Sequence, residues 1–126
     1  MNRTSFTAEF LFRASPTIIY KFLTTPDCLI RWFCEECKVV DGKYYFEWDG
    51  SEEIAQVLED VENELLRLQW EEYEDEDEFL EFKLKRSPVT NETILEITAF
   101  CDDDEVDTET EVWSAQMEDL RRATGG

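Results

Sequence analysis

Residues 5–13 alternate in character: Phe6, Ala8, Phe10 and Phe12 point one way, and Thr7, Glu9, Leu11 and Arg13 point the other. A period of two over this length predicts a strand with one buried face. Ser15-Pro16 then announces a helix, because serine caps the first free N–H groups and proline at the first turn has none to lose. Ile18, Ile19, Phe22 and Leu23 fall on one helical stripe behind it. Thr25-Pro26 ends that helix and opens a second by the same device, with Leu29, Ile30, Trp32 and Phe33 as its apolar face.

From about residue 34 to residue 100 the period returns to two. Residues 34–40 predict a weak strand. Residues 43–48 predict a stronger one, with Tyr44, Phe46 and Trp48 on one side. Asp41-Gly42 and Asp49-Gly50 are hairpin turn signals, since glycine takes positive φ without steric cost. Residues 53–59 predict a strand of unassigned phase. Three more follow: 64–73 with Leu66, Leu68 and Trp70 inward, 79–85 with Leu80, Phe82 and Leu84 inward, and 93–100 with Leu95, Ile97 and Ala99 inward. Each strand shows one face to water, as in an antiparallel meander. Residues 104–123 switch to helical spacing, with Val112, Trp113, Gln116, Met117 and Leu120 as the stripe. Acidic residues crowd the start of this helix and Arg121 and Arg122 sit near its end, the order a helix macrodipole favours. The element order predicts an α+β domain in which a long antiparallel sheet curls around the terminal helix.

Length and composition narrow this further. At 126 residues, with 42% hydrophobic and 13% aromatic residues, the chain predicts one folded domain over 1–126. The net charge of −20 disfavours nucleic acid and anionic membrane surfaces as partners. A basic protein partner remains compatible with it. No apolar run approaches the ~18 residues that span a bilayer. The first residues run straight into the alternating strand with no basic-then-apolar leader pattern, so a cytoplasmic location is expected.

Four cysteines are present and no histidine. The missing histidine removes the commonest general base, the usual partner of a Ser or Cys nucleophile and the commonest metal ligand. Cys34-Glu35-Glu36-Cys37 has the spacing of a zinc or redox pair. A structural zinc site wants four ligands, and only Cys28 and Cys101 are left to help. A redox pair usually opens a helix, whereas this one opens a strand. The four are therefore expected as thiols, with no metal or cofactor. Residues 71–78 carry seven carboxylates in eight positions. They lack the glycine and alternating ligands of a calcium loop, and a solvated hairpin tip is the expected reading. Asp102, Asp103, Asp104 and Glu105 are read as the charged start of the last helix. Phe6, Phe10, Phe12, Tyr44, Phe46, Trp48, Trp70, Phe82 and Trp113 all lie on predicted inward faces. They form either an ordinary packed core or the lining of an apolar cavity.

Thr25-Pro26-Asp27 with Leu29 and Arg31-Trp32-Phe33, followed by Asp41-Gly42-Lys43 opening an aromatic strand, resembles the START-like (SRPBCC, helix-grip) superfamily. The strand ending in Trp70, the Leu95/Ile97 strand, and Trp113 followed by Met117 and Leu120 fit the same pattern. The branch it resembles is that of the heat-shock-protein-90 ATPase activator homologues. The resemblance implies a curved antiparallel sheet of six or seven strands gripping a long C-terminal helix, with two short helices after the first strand. It also implies a cavity between sheet and helix for a hydrophobic small molecule or lipid. The expected lining is Phe10, Phe12, Trp32, Tyr44, Phe46, Trp48, Leu68, Trp70, Phe82, Ile97, Trp113, Gln116 and Met117. Tyr44, Gln116 and the indole N–H groups of Trp48 and Trp113 are the polar groups available to orient a guest. A non-enzymatic binding module is the expected function. A protein-interaction module like the chaperone activators is the alternative, and a cyclase or hydrolase the least favoured, since no catalytic residue of the superfamily maps onto this chain.

Overall fold

A computed structural model describes residues 2–72 and 77–125. The chain begins with β1 (Arg3–Phe12), followed by α1 (Pro16–Thr24) and α2 (Pro26–Leu29). Six strands come next: β2 (Glu36–Val40), β3 (Lys43–Trp48), β4 (Ser51–Val61), β5 (Leu65–Trp70), β6 (Leu80–Arg86) and β7 (Thr93–Asp102). The helix α3 (Val106–Thr124) closes the fold. The strands form one antiparallel sheet in the order β1-β7-β6-β5-β4-β3-β2, so β1 and β2 are its edges. The long connection from β1 to β2 carries α1 and α2, and α3 follows β7 directly after residues 103–105.

The inward faces are those the alternation predicts. In β1, Phe6, Ala8, Phe10 and Phe12 stand opposite Ala99, Ile97, Leu95 and Thr93 of β7, all on the side that meets the helices. Both Asp-Gly turns form: Asp41 and Gly42 have φ of 50° and 76°, and Asp49 and Gly50 have 48° and 79°. Positive φ at both central residues twists a two-residue turn in the sense its strands require. β4, whose phase the sequence left open, points Ala55 and Val57 inward, opposite Trp70 and Leu68. A bulge between Val57 and Glu59 then interrupts its register, which explains why no single alternation ran through it.

The helices differ from the sequence reading at their edges. In α1, Ser15 Oγ accepts from the Ile18 N–H as a cap, and Ile19, Phe22 and Leu23 are buried. Ile18 is 43% exposed, because it sits roughly a quarter-turn from the centre of the stripe formed by the other three. α2 is a single turn, so Leu29, Trp32 and Phe33 turn inward while Ile30 stays exposed. In α3, Trp113, Met117 and Leu120 are buried at the spacing of successive turns, and Val112, expected on the same stripe, is exposed. The N–H of Gly125, in the left-handed region, closes the helix on the Arg121 carbonyl.

α3 lies on the inward side of the sheet. Its buried residues join the same core as Phe12, Phe46, Leu66, Leu95 and Ile97. Its far end is pinned to β1: Arg121 Nη2 donates to the Leu11 carbonyl at 2.9 Å and its guanidinium lies over the Phe12 ring. Thr93 ties β7 to the start of the helical insert through a 2.6 Å bond to the Ala14 carbonyl. The outer face is covered by charges. Arg67 reaches Glu81 at 2.5 Å and lies over the Phe79 ring, and Arg3 reaches Glu78 at 2.6 Å. Glu78 is only 5% exposed, so the acidic run ends in a shielded ion pair and not in open solvent. The rest of the expected hairpin tip, residues 73–76, lies outside the described residues. Among those described, no helix is long and apolar enough to cross a membrane.

Candidate functional site

The middle of the inward surface is built from aromatic rings. Phe46 on β3 meets Tyr44 and Trp48 on its own strand, Trp70 on β5, and Phe33 from the segment after α2. Phe33 is the hub: its ring lies 5.0 Å from Trp32, 5.0 Å from Phe46, 5.3 Å from Trp48 and 6.3 Å from Trp113, stacked on the last. Phe82 on β6 meets Trp113 edge-on from the other side. Alternation delivers the strand rings to this cluster, and the single turn of α2 delivers Trp32 and Phe33.

At the rim of the cluster an open groove of about 420 Å³ lies between the α2–β2 connection, β3 and α3. Ile30, Arg31, Trp32, Phe33, Cys34, Trp48 and Asp119 line it. Of the residues expected to line a cavity, Trp32 and Trp48 reach this groove. Phe12, Tyr44, Phe46, Leu68, Phe82, Ile97, Trp113 and Met117 are buried in the packed body behind it, while Phe10, Trp70 and Gln116 are partly exposed. Phe33, Arg31, Ile30, Cys34 and Asp119 were absent from that expectation. The Arg31-Trp32-Phe33 triplet was the sequence signal for Arg31 and Phe33, and the apolar face of the second helix was the signal for Ile30.

The indoles at the groove are already engaged. Trp48 Nε1 donates to the Phe33 carbonyl at 2.6 Å, and Trp32 Nε1 donates to the Phe22 carbonyl at 2.9 Å. The Trp48 N–H therefore holds the α2–β2 connection in place and is not available to orient a guest. Arg31 lies over the Phe22 ring and, with Asp119, marks the polar edge of the groove. Tyr44 is buried with its hydroxyl pushed above the ordinary phenol range, first by burial and then by the charge of Asp60.

Two titrating contacts flank the aromatic surface. Tyr20 of α1 donates to Asp60 of β4 at 2.5 Å, and its pKa is pushed up to about 12 by burial and then by this bond. The folded phenol holds its proton more tightly than the unfolded one, so the contribution is complete below the ordinary tyrosine pKa of ~10 and is lost as pH rises through about 12. Ultraviolet titration of the wild type against Tyr20→Phe is expected to remove one late-titrating tyrosine. The variant is expected to lose about 1 kcal/mol of stability at neutral pH. At the ends of β4 and β5, Glu53 is held above the usual carboxyl range by burial and by a hydrogen bond with Glu72. Asp102, Asp104 and Glu105 bring carboxylate oxygens within 4.8 Å of one another where β7 meets α3, beside Arg3.

Comparison with known proteins places this architecture. The Aha1 dimer of Colwellia psychrerythraea has a similar fold, at 22% identity over 96% of each chain with a TM-score of 0.79. The Bacteroides fragilis protein BfR322 is similar at 29% identity over 97% of this chain and 91% of its own, with a TM-score of 0.71. CalU16 of Micromonospora echinospora is similar at 21% identity over 92% of this chain and 71% of its own, with a TM-score of 0.69. A search of curated proteins gave no match. The model of the START-like superfamily domain matches residues 1–126, and with the seven-stranded sheet closed over α3 this makes the chain a member of the START-like superfamily.

Proposed function

We propose that this domain is a non-enzymatic binding module for an apolar small molecule or lipid chain, taken up at the groove between the α2–β2 connection and α3. The observation that supports this reading is a shallow, open groove of about 420 Å³ with Ile30 and Trp48 at its surface and the buried rings of Trp32 and Phe33 as its floor. Small-molecule sites commonly fall between ~300 and 1,000 Å³ and are apolar with a few polar groups. Here the exposed lining is more polar than that, with Arg31 and Asp119 on its edge and Ile30 and Trp48 as its open apolar part. Removing apolar area from water at ~25 cal/mol per Å² provides the drive, and the packed rings behind Phe33 keep the wall rigid so that little ordering opposes binding. The ion pairs Arg67–Glu81 and Arg3–Glu78 lie on the outer face, away from the groove, which fits binding better than acid–base chemistry.

The test is a thermal-shift screen of uncharged apolar molecules, with native mass spectrometry of the purified chain. A guest that raises the melting temperature in the wild type and not in Trp48→Ala supports the reading. No shift with any guest, together with no co-purifying molecule, contradicts it.

One observation favours a second reading, a surface for a basic protein partner. Glu36, Glu47 and Glu52 stand directly opposite one another across β2, β3 and β4. Like charges at paired positions oppose the sheet, and a cationic partner would relieve that cost. Such binding should weaken steeply with salt, whereas occupation of the groove should not.

A further inference from the structure

The sheet has two edges, and they differ in cover. On β1 the Leu11 carbonyl accepts from Arg121 and the Asn2 carbonyl accepts from the Asp103 N–H, so groups from α3 and the turn before it occupy that edge at both ends. β2 has no such cover. Its register starts at the Asp41-Gly42 turn, with Val40 paired to Lys43. A two-residue turn closes on a hydrogen-bonded pair, and bonded pairs alternate along an antiparallel ladder. Val40, Lys38 and Glu36 therefore bond β3, and the N–H and C=O groups of Cys37 and Val39 point to the open side. No hydrogen bond among the described residues reaches these four groups. The edge is also held in shape. The chain bends at Glu35 just before it, where the Glu35 N–H donates to the Glu47 carbonyl at 3.0 Å and Glu35 Oε2 accepts from the Asp49 N–H at 3.0 Å.

The side chains beside this edge sort by face. On the outer face Glu36 begins a row that continues through Glu47 and Glu52. A recess of about 190 Å³ opens there, lined by these three with Cys37, Lys38 and Tyr45. Three carboxylates stand against one ammonium, and none of the three is ion-paired with a described residue. The Lys38 ammonium lies 5.2 Å from the centre of the Tyr45 ring, so this wall already accepts a cation. On the inner face Val39 is 40% exposed.

We propose that β2 takes an extended cationic segment of a partner protein as an eighth strand. The segment's main chain bonds Cys37 and Val39, an apolar side chain packs on Val39, and a Lys or Arg side chain enters the recess beside Glu36. Main-chain bonds at a sheet edge supply affinity for any extended chain, and side chains on alternate positions choose among them. The choice of a cation follows from the recess and from the net charge of −20, which also sets a second copy of the chain against itself. The proposal rests on the reading of a basic protein partner and adds the strand and the backbone groups that hold it.

The experiment titrates the ¹⁵N-labelled chain with acetyl-Lys-Thr-Val-Thr-Val-Arg-Arg-amide at low salt. Paired antiparallel, its valines stand opposite Val39 and Cys37 and its arginines opposite Glu36 and Glu35. Saturable shifts and slowed exchange are expected at the Cys37 and Val39 amides. N-methylation of the two valines removes both donors to the edge without changing charge, and should weaken binding at least ~10-fold. N-methylation of the two threonines, whose N–H groups face away, should weaken it less than ~3-fold. Val39→Pro removes only a donor that faces outward and should weaken the parent peptide at least ~10-fold. Equal binding of the valine-methylated and parent peptides would overturn the edge pairing while leaving an acidic docking face. Absence of binding at low salt would overturn both. A chain that is already dimeric, with the Cys37 and Val39 amides protected before any peptide is added, would overturn the proposal in favour of a second copy. The peptide arms decide the matter whether or not Val39→Pro folds.

Discussion

Replacing Phe46 with alanine is expected to lower the unfolding free energy by about 3–5 kcal/mol. Its ring is 1% exposed and touches four others, Phe33, Tyr44, Trp48 and Trp70. The loss has two parts: the transfer energy of the ring, and the cavity left where those neighbours cannot collapse. Collapse is hindered because Tyr44 and Trp48 are fixed by strand register and Phe33 is fixed by the Trp48 indole bond. Phe46→Leu keeps most of the volume and should cost less than half as much. Urea denaturation of the two variants reads both values. A loss below about 1 kcal/mol for the alanine variant would show that the rings are not packed as described.

Trp113→Ala is expected to cost about as much, with a second effect. Trp113 is 8% exposed, stacks on Phe33 and meets Phe82 edge-on, so it is the main aromatic contact by which α3 is held to the sheet. Its loss removes packing from α3 and support from the groove wall together. The expected results are a melting temperature lower by roughly 10–20 °C, faster amide exchange in α3 than in β7, and weaker binding of apolar probes. Trp113→Phe should restore stability before it restores affinity, because a smaller ring fills the core but stacks less of Phe33. Uniform loss of exchange protection across sheet and helix would show instead that α3 is not a separately loosened element.

Most of the fold was legible because period and punctuation agree. The alternation in β1, β3, β5, β6 and β7 assigned inward residues that the sheet does bury, and Ser15-Pro16, Asp41-Gly42 and Asp49-Gly50 sit at a helix start and two hairpin turns. The bulge in β4 hid its phase, since one extra residue exchanges the faces of everything beyond it. Ile18, Ile30 and Val112 were misplaced because apolar residues at a stripe's edge satisfy the pattern without meeting a neighbour. The groove was least legible. Its wall depends on how a one-turn helix and the bend at Glu35 present Phe33 and Cys34, and no local pattern encodes that.

Apolar occupation of the groove is the central claim, and nuclear magnetic resonance mapping with N-phenylnaphthylamine tests it most directly. This probe is neutral, so the acidic surface does not decide the outcome. The account predicts saturable shifts concentrated at the amides of Ile30, Trp32 and Phe33 and at the Trp48 indole, with little change along Glu36, Glu47 and Glu52. Shifts confined to the outer face, or none at all while the fold remains intact, would contradict it.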